Sequence, residues 1–197
     1  MARHPYATNS DERKMVPFFL AVLAVFTTFA LTALFATFHW TPPASVDVTS
    51  TMAIYGVYYW LFKKFCWKWK WLRSVGIVST PIIEGTWVGT VKTSHAEGAP
   101  RHNVHAAIGQ DWTDILIRVQ GPNSHSRSTS ASMTVTEDET LLIYQYLNEP
   151  NADAPETLQI HYGTGRVTLR NDELQGEYYT GRGRLNIGTI QLLRKKE

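Results

Sequence analysis

Residues able to bind a nucleotide recur in the second half of the chain. Four tyrosines lie in or next to predicted strands, and three arginines lie at two glycine-rich segments predicted to be turns. These residues are Tyr144, Tyr146, Tyr178, Tyr179, Arg166, Arg182 and Arg184. Aromatic rings stack on bases, whereas guanidinium groups and exposed backbone N–H groups bind phosphate. This combination is the minimum set for a nucleotide ligand, although a core tyrosine or a solvated turn arginine explains any single one of them.

One predicted strand alternates small hydroxyl side chains with larger residues. Serines 126, 128, 130 and 132 fall on one face, and Arg127, Thr129, Ala131 and Met133 fall on the other. Serines that face inward would leave space in a barrel and offer hydrogen bonds to a ligand. A solvated edge strand explains the pattern equally well.

Motifs that indicate catalysis are absent from the sequence. It contains no Gly-x-Ser-x-Gly elbow, no Gly-x-x-x-x-Gly-Lys loop and no His-Glu-x-x-His pair. The sequence therefore predicts a protein that is not an enzyme and has no cofactor. The residues His95, His102, His105 and Asp111 could form a metal cluster, but their loop is rich in Ala, Gly and Pro, and solvated side chains are expected there.

Charge and cysteine content exclude further classes. The formal net charge of the 197 residues is +2. Residues 1–80 hold 8 Lys and Arg against 3 Asp and Glu, and residues 81–197 hold 11 against 14. A net-acidic C-terminal part argues against binding to duplex nucleic acid, which needs a continuous basic face, but not against a small anionic ligand. A single cysteine, Cys66, excludes an internal disulfide framework.

The first third of the chain predicts a transmembrane hairpin over residues 15–72. Met15 to Phe38 is an uncharged run of 24 residues, which at about 1.5 Å per residue exceeds the roughly 30 Å of bilayer hydrocarbon. Pro42 and Pro43 then predict a short connection. A second uncharged run, Val48 to Phe62, leads into alternating lysines and tryptophans, which are typical of a membrane interface.

Basic residues predict the orientation of this hairpin. Arg13 and Lys14 precede the first span, five Lys or Arg from Lys63 to Arg73 follow the second, and the connection has none. By the positive-inside rule, both a tail over residues 1–14 and the domain over residues 80–197 are expected in the cytosol. The alternative is an export signal cleaved near Ala44, but its apolar stretch would be unusually long.

Beyond about Val78 the sequence changes to short runs of Val, Ile, Thr, Tyr and Leu between turn residues. The predicted strands are Gly85 to Lys92, Asn103 to Ile108, Trp112 to Gln120, Arg127 to Thr136, Leu141 to Leu147, Thr157 to Tyr162, Arg166 to Arg170, Glu173 to Thr180 and Asn186 to Leu193. Because no helix covers an edge, the sheet must close on itself or fold into a sandwich to hide its unpaired backbone groups, and a small barrel is the favoured solution. The predicted fold class is membrane-anchored all-β, with two N-terminal transmembrane helices before a small closed antiparallel β-barrel of about eight strands. Trp87 is interpreted as a plug at one barrel end.

Several short motifs occur in a characteristic order behind the hairpin. They are Gly-Thr-Trp-Val-Gly at residues 85–89, Leu-Ile-Tyr-Gln-Tyr-Leu-Asn at 142–148, His-Tyr-Gly at 161–163 and Leu-Gln-Gly-Glu-Tyr-Tyr-Thr at 174–180. In this layout the whole chain resembles Cap15, a family of two-transmembrane, β-strand-rich antiphage effectors associated with cyclic oligonucleotide synthases (CBASS).

That resemblance implies a cytosolic barrel that binds a cyclic dinucleotide from a cognate nucleotidyltransferase. It further implies that the protein becomes a homo-oligomer in the lipid bilayer of the bacterial inner membrane, disrupts it and kills the cell. For such a ligand, residue type and alternation predict base stacking on Tyr144, Tyr146 and Tyr178, phosphate contacts from Arg166 and Arg182, and polar contacts from Ser128, Ser130 and His161.

Two other classes stay open. A membrane-anchored lipocalin-like protein would bind a small apolar or amphipathic ligand and would need an apolar lumen. A structural anchor would bind no ligand.

Overall fold

The structure is a computed structural model that describes residues 3–39, 44–93, 101–155, 158–181 and 186–195, with side chains left out for 44–49. The chain divides into two compact units. One unit is helical and runs from Ser10 to Ser79. The other unit joins the residues up to Asn9 with those from Thr80 onward.

The helical unit contains two long helices, α1 (Glu12–Thr37) and α2 (Ala44–Lys64). A short 3-10 helix, Cys66–Lys68, and the helix α3, Lys70–Ser74, follow. Among the helices described, α1 alone is long and apolar enough to cross a membrane by length and composition. The second predicted span does form a helix, but α2 is less apolar and does not meet that criterion.

Polar side chains join the two long helices. The Thr27 hydroxyl lies 3.0 Å from the Tyr58 hydroxyl, and the Thr51 hydroxyl donates to the Thr28 oxygen at 2.8 Å. On its other side α1 exposes large rings, with Phe29 75% exposed. This arrangement pairs hydroxyls of the two helices with each other and leaves the phenylalanine rings of α1 exposed.

The second unit is a closed barrel of nine strands. The strands are β1 (His4–Thr8), β2 (Gly85–Thr93), β3 (Arg101–Gln110), β4 (Asp114–Gln120), β5 (Ser124–Val135), β6 (Thr140–Pro150), β7 (His161–Arg170), β8 (Glu173–Thr180) and β9 (Ile187–Arg194). Their order around the barrel is β1-β4-β3-β2-β9-β8-β7-β6-β5. Neighbours are antiparallel except β1 and β5, which are parallel. The predicted fold class, a membrane-anchored all-β domain, is confirmed by the apolar N-terminal helix α1 and the closed, mainly antiparallel sheet. The second of the two predicted transmembrane helices is not confirmed.

Strand β1 (His4–Thr8) is not among the strands that the sequence predicts. Strands β4 and β5 pair directly only from Arg118 to Gln120, and β1 fills the gap where they diverge. It pairs with β4 at His4 and Pro5 and with β5 from Tyr6 to Thr8. A segment of five residues that includes a proline has no strand pattern of its own. It becomes a strand because the separated edges of β4 and β5 offer it backbone hydrogen-bond partners.

Strand β7 corrects a second prediction. The segment Gly163-Thr-Gly165 was interpreted as a turn between two strands, but it lies inside one continuous strand that pairs with β6 on one side and β8 on the other. Part of the first of those predicted strands, at Thr157, lies outside the described residues.

One end of the barrel is filled by Trp87, which is fully buried as its interpretation as a plug requires. Its indole N–H donates to the Ile83 carbonyl at 3.0 Å, and the Arg194 guanidinium lies 4.4 Å from its ring centre. Arg194 also donates to the carbonyls of Glu84 at 2.7 Å and Ile82 at 2.8 Å. These contacts close the end at which β2 begins and β9 ends.

Candidate functional site

The other end of the barrel holds a cavity of about 260 Å³. Its lining comes from the last residues of β2, β4, β6 and β8 and from the first residues of β3, β5 and β7. Because neighbouring strands are antiparallel, all of these lie at one end of the barrel. The cavity therefore opens opposite the end that Trp87 fills.

Tyr144 and Tyr146 of β6 form one wall of the cavity. Alternation along the strand points both inward, where they are 5% and 7% exposed. Their ring centres lie 6.1 Å apart at an interplanar angle of 47°. Tyr178 of β8 also lines the cavity and packs against the same core. The structure thus brings together the three tyrosines that were predicted to stack on bases.

Each of these tyrosines lies opposite a glycine on the neighbouring strand. The register pairs Tyr144 with Gly165, Tyr146 with Gly163, and Tyr178 with Gly188. A β-carbon added at Gly165 would lie 2.5 Å from Cζ of Tyr144, and additions at the other two glycines would also collide with the facing ring. The glycines therefore leave space in which each ring lies over the neighbouring backbone.

Polar groups of this wall lack protein partners. Within the described chain, the hydroxyls of Tyr144, Tyr146 and Tyr178 and the side-chain amide of Asn148 make no hydrogen bond to another residue, although all four residues line the cavity. Because these groups line the cavity, water or a ligand can supply the partners.

The tyrosines of β6 stay neutral at ordinary pH. Burial raises the pKa of Tyr144 to about 12. Burial also raises the pKa of Tyr146, and the proximity of Tyr144 and Tyr178 raises it further. Both hydroxyls can therefore donate as well as accept a hydrogen bond.

Two histidines complete the polar lining. His161 begins β7, and its Nδ1 lies 2.8 Å from the Gln159 carbonyl oxygen; His102 lies near the start of β3. Of the lining residues that are described, none is Lys, Arg, Asp or Glu. This wall therefore suits bases and sugars better than it suits phosphates.

A β-bulge changes which serines face the cavity. The register between β5 and β6 shifts between Ser128 and Ser130, so Ser126 lines the cavity whereas Ser130 is exposed and donates to Oε1 of Gln145 at 3.2 Å. The prediction that all the serines share one face is wrong, because a bulge inserts one residue and reverses the alternation after it. Ser126 belongs to the alternating pattern but had not been selected as a site residue.

Ser128 is inward and buried, but it does not line the cavity. Its hydroxyl shares a hydrogen bond of 2.7 Å with Nε2 of His4 and accepts the backbone N–H of Ile117 at 2.9 Å. In this structure Ser128 joins three strands.

The one predicted arginine that the structure describes, Arg166, is not assembled with the tyrosines. Arg166 points outward from β7, is 57% exposed and lies 3.7 Å from the Glu177 carboxylate, because alternation turns its inward neighbours, Gly165 and Val167, to the core. Since Gly163 and Gly165 belong to the strand ladder, their segment is not a phosphate-binding turn. Arg182 and Arg184 lie outside the described residues.

The described residues that were candidates for a metal site lie apart from one another. His102 faces the cavity, His105 lies in a groove on the outer wall, and Asp111 is buried beside the Arg3 guanidinium at 3.5 Å. His95 lies outside the described residues. No group of three metal-binding side chains occurs in the described ranges.

Comparison with known proteins gives concordant matches for the two units. A family model described as the Cap15 cyclic dinucleotide receptor domain matches residues 78–194, which include β2 to β9. A second model, described as Cap15 TM helices, matches residues 14–68. A CD-NTase-associated protein 15 from Yersinia aleksiciae is 31% identical over 98% of this chain and 98% of its own length. A protein of the same name from Staphylococcus schleiferi is 27% identical over 61% of this chain and 64% of its own length.

Proposed function

This chain belongs to the Cap15 family, and from that membership we propose that its barrel cavity binds a cyclic dinucleotide made by a cognate nucleotidyltransferase during phage infection. The observation that carries the proposal is the set of three tyrosine hydroxyls and the Asn148 amide that line the cavity and make no hydrogen bond to another described residue. The protein acts as a receptor, not as an enzyme.

The chemistry of the wall matches a nucleobase. Tyr144 and Tyr146 offer ring faces for stacking, which contributes about 1–3 kcal/mol per base. The Asn148 amide both donates and accepts, so it can pair with a base edge that presents one donor and one acceptor. Ser126, His102 and His161 supply further polar contacts at the mouth.

The size of the cavity limits what lies inside it. At about 260 Å³, the cavity is slightly smaller than the roughly 300–1,000 Å³ of typical small-molecule sites. A cyclic dinucleotide has two bases, two riboses and two phosphates, so we place one base inside and the phosphates at the mouth. Arg182 lies between Thr180 and Asn186 in the sequence, and both of these line the mouth; it is therefore the proposed phosphate contact.

Membrane insertion follows from α1 and from the position of β1. Strand β1 precedes α1, and β2 follows α3, yet both belong to one barrel. This placement supports the proposal that the segment between them crosses the membrane an even number of times. If α1 spans the bilayer, α2 must return through it, although α2 is the less apolar helix. Basic residues on both flanks, from Arg13 to Lys14 and from Lys63 to Arg73, favour a cytosolic barrel at the bacterial inner membrane.

Ligand binding would act through self-association. Two spans cannot enclose a pore, so the lesion is built from the helices of several copies. A ligand needs only to favour the associating state, because tethering in two dimensions raises the effective concentration of the copies. The outcome is disruption of the inner membrane and death of the infected cell.

Thermal unfolding of the full-length protein in nanodiscs, with a panel of cyclic dinucleotides, tests the binding step. We expect one member of the panel to raise Tm selectively and in proportion to the logarithm of its concentration. The variant Asn148→Ala should lose part of this rise, whereas Gln145→Ala, on the outer face of the same strand, should keep all of it. The absence of any rise across the panel would refute the proposal.

An apolar-ligand carrier is the weaker candidate. Such a lumen should have its polar groups paired among themselves, whereas the tyrosine hydroxyls and the Asn148 amide are not. In the same thermal-unfolding assay, a carrier would show a rise in Tm with a long-chain fatty acid and none with the cyclic dinucleotides.

A further inference from the structure

The barrel has a weak seam between β4 and β5. These strands pair directly at three positions, from Arg118 with Arg127 to Gln120 with His125, the fewest for any two neighbours among β2 to β9. Beyond the bulge at Ser128 they separate. The N-terminal strand β1 occupies the opening and supplies the missing backbone partners.

Side-chain hydrogen bonds and the packing of Tyr6 in the core hold β1 in this slot. His4 and Ser128 share the hydrogen bond of 2.7 Å at the point where the strands diverge. Tyr6 is buried and donates from its hydroxyl to the Trp112 carbonyl at 3.1 Å. At the other end of the strand, the Asn9 amide accepts the Val135 N–H at 2.8 Å and donates to the Val135 carbonyl at 3.0 Å.

The same seam borders the cavity. Val119 of β4 and Ser126 of β5 are register partners, and both line the cavity. The turn between the two strands lies at the mouth. Strands β4 and β5 thus form a hairpin. Its turn borders the cavity, and its two strands separate at the other end and hold β1 between them.

A base inside the cavity lies beside this seam, because Val119 and Ser126 both line the cavity, so any widening that the base causes acts on β4 and β5. The strand pair with the fewest direct ladder positions offers the least resistance to widening. A change in the separation of β4 and β5 alters the width of the slot that holds β1.

Strand β1 is also the part of the barrel that is joined directly to a membrane helix. Ser10 and Asp11 alone separate Asn9 from the first residue of α1, Glu12. Because only two residues link them, Asn9 and the start of α1 stay close in space when β1 moves. Both matched family models leave β1 out, because they cover residues 14–68 and 78–194.

We propose that β1 is a strap that holds the resting state and leaves its slot when the cavity fills, which releases α1 for assembly. This inference rests on the proposed function and specifies how the ligand site is linked to the membrane. Ligand binding and release of β1 are then reciprocal, so whatever fixes β1 in its slot weakens ligand binding.

A reversible disulfide tests the strap. Ala7 and Ser132 are register partners on β1 and β5 and are not buried, so cysteines there have the backbone spacing that a disulfide needs. The variant Ala7→Cys/Ser132→Cys is made in a Cys66→Ser background. A matched control, Thr168→Cys/Gln175→Cys, joins β7 to β8 on the other side of the barrel.

Full-length protein is placed in vesicles of phosphatidylethanolamine and phosphatidylglycerol loaded with dye, and the cyclic dinucleotide panel is added. We expect the oxidised β1 lock to release dye at least about tenfold more slowly and to bind the active nucleotide at least about fivefold more weakly than its reduced form. The β7–β8 control should release dye at the same rate and bind the nucleotide with the same affinity whether it is oxidised or reduced.

The outcomes separate the two proposals. If the reduced lock and the unlocked protein bind no nucleotide of the panel, the proposed function fails and the strap fails with it. If the oxidised lock binds and releases dye as the reduced form does, the strap alone is refuted. Hydrogen exchange of the unlocked protein gives a check that needs no variant: nucleotide should remove protection from the Tyr6 and Thr8 amides but not from the amides of β7, and unchanged protection of β1 would refute the strap.

Discussion

Tyr144 covers Gly165 on the neighbouring strand so closely that a β-carbon on the glycine would lie 2.5 Å from Cζ of the ring. The glycine is therefore a condition for the aromatic wall, since any side chain at that position would push the ring into the cavity.

Replacing this glycine should damage both the fold and the site. We expect Gly165→Ala to lower the free energy of unfolding by about 1–3 kcal/mol, the usual cost of overpacking a core, and to weaken nucleotide binding. Denaturant unfolding and the Tm shift with nucleotide measure the two effects. The double variant Tyr144→Ala/Gly165→Ala should have the same free energy of unfolding as Tyr144→Ala alone, because the ring that the added methyl group meets is gone. An unchanged cost in the double variant would contradict the steric explanation.

Asn148 should separate binding from stability. Its amide has no partner among the residues that the structure describes, so Asn148→Ala should leave the free energy of unfolding within about 0.5 kcal/mol of wild type. Loss of a hydrogen bond to the ligand should weaken binding by about 0.5–1.5 kcal/mol. Calorimetric titration and denaturant unfolding compare the two quantities. A large loss of stability without a loss of affinity would show that the amide is structural.

Stability should fall at alkaline pH because of Tyr144. Burial raises the pKa of Tyr144 in the folded protein from 10.0 to about 12, so the stabilisation is fully present below pH 10 and is lost as the pH rises from about 10 to 12. We expect Tyr144→Phe to show a shallower decline of the free energy of unfolding across this window. Tyr179, which is exposed, provides the control in Tyr179→Phe. Equal slopes for the two variants and wild type would contradict the assignment.

Arg166 should be dispensable for binding. Its side chain is on the outer wall and pairs with Glu177 at 3.7 Å, an exposed ion pair of the kind that contributes about 0–1 kcal/mol. Arg166→Ala should therefore leave nucleotide affinity unchanged, whereas Arg182→Ala should weaken it. If Arg166→Ala abolished binding, the ligand would have to lie outside the cavity.

Both chain ends should lie on the same side of the membrane. Strands β1 and β9 belong to one barrel, and the basic flanks favour the cytosol. Green fluorescent protein fused to either end should fluoresce, and alkaline phosphatase fused to either end should be inactive. A phosphatase-active fusion at one end alone would exclude the hairpin.

Local pattern was sufficient for much of this fold. The bounds of β8 were predicted at Glu173 and Thr180 as the structure has them, since alternation and the flanking turn residues are encoded within the segment. The same holds for the apolar length of α1, for the burial of Trp87 and for the inward position of Tyr144 and Tyr146.

Other features depend on contacts between distant residues, and only the tertiary structure decided them. Strand β1 forms because β4 and β5 leave a gap more than a hundred residues further along the chain. Ser130 points outward because a bulge in the β5–β6 ladder shifts the register, and Gly163 and Gly165 lie in a strand because tyrosines of β6 cover them. The periodicity of a sequence describes one segment at a time. The gap between β4 and β5, the bulge in β5 and the packing of tyrosine rings over glycines each depend on two or three strands together, so no single segment encodes them.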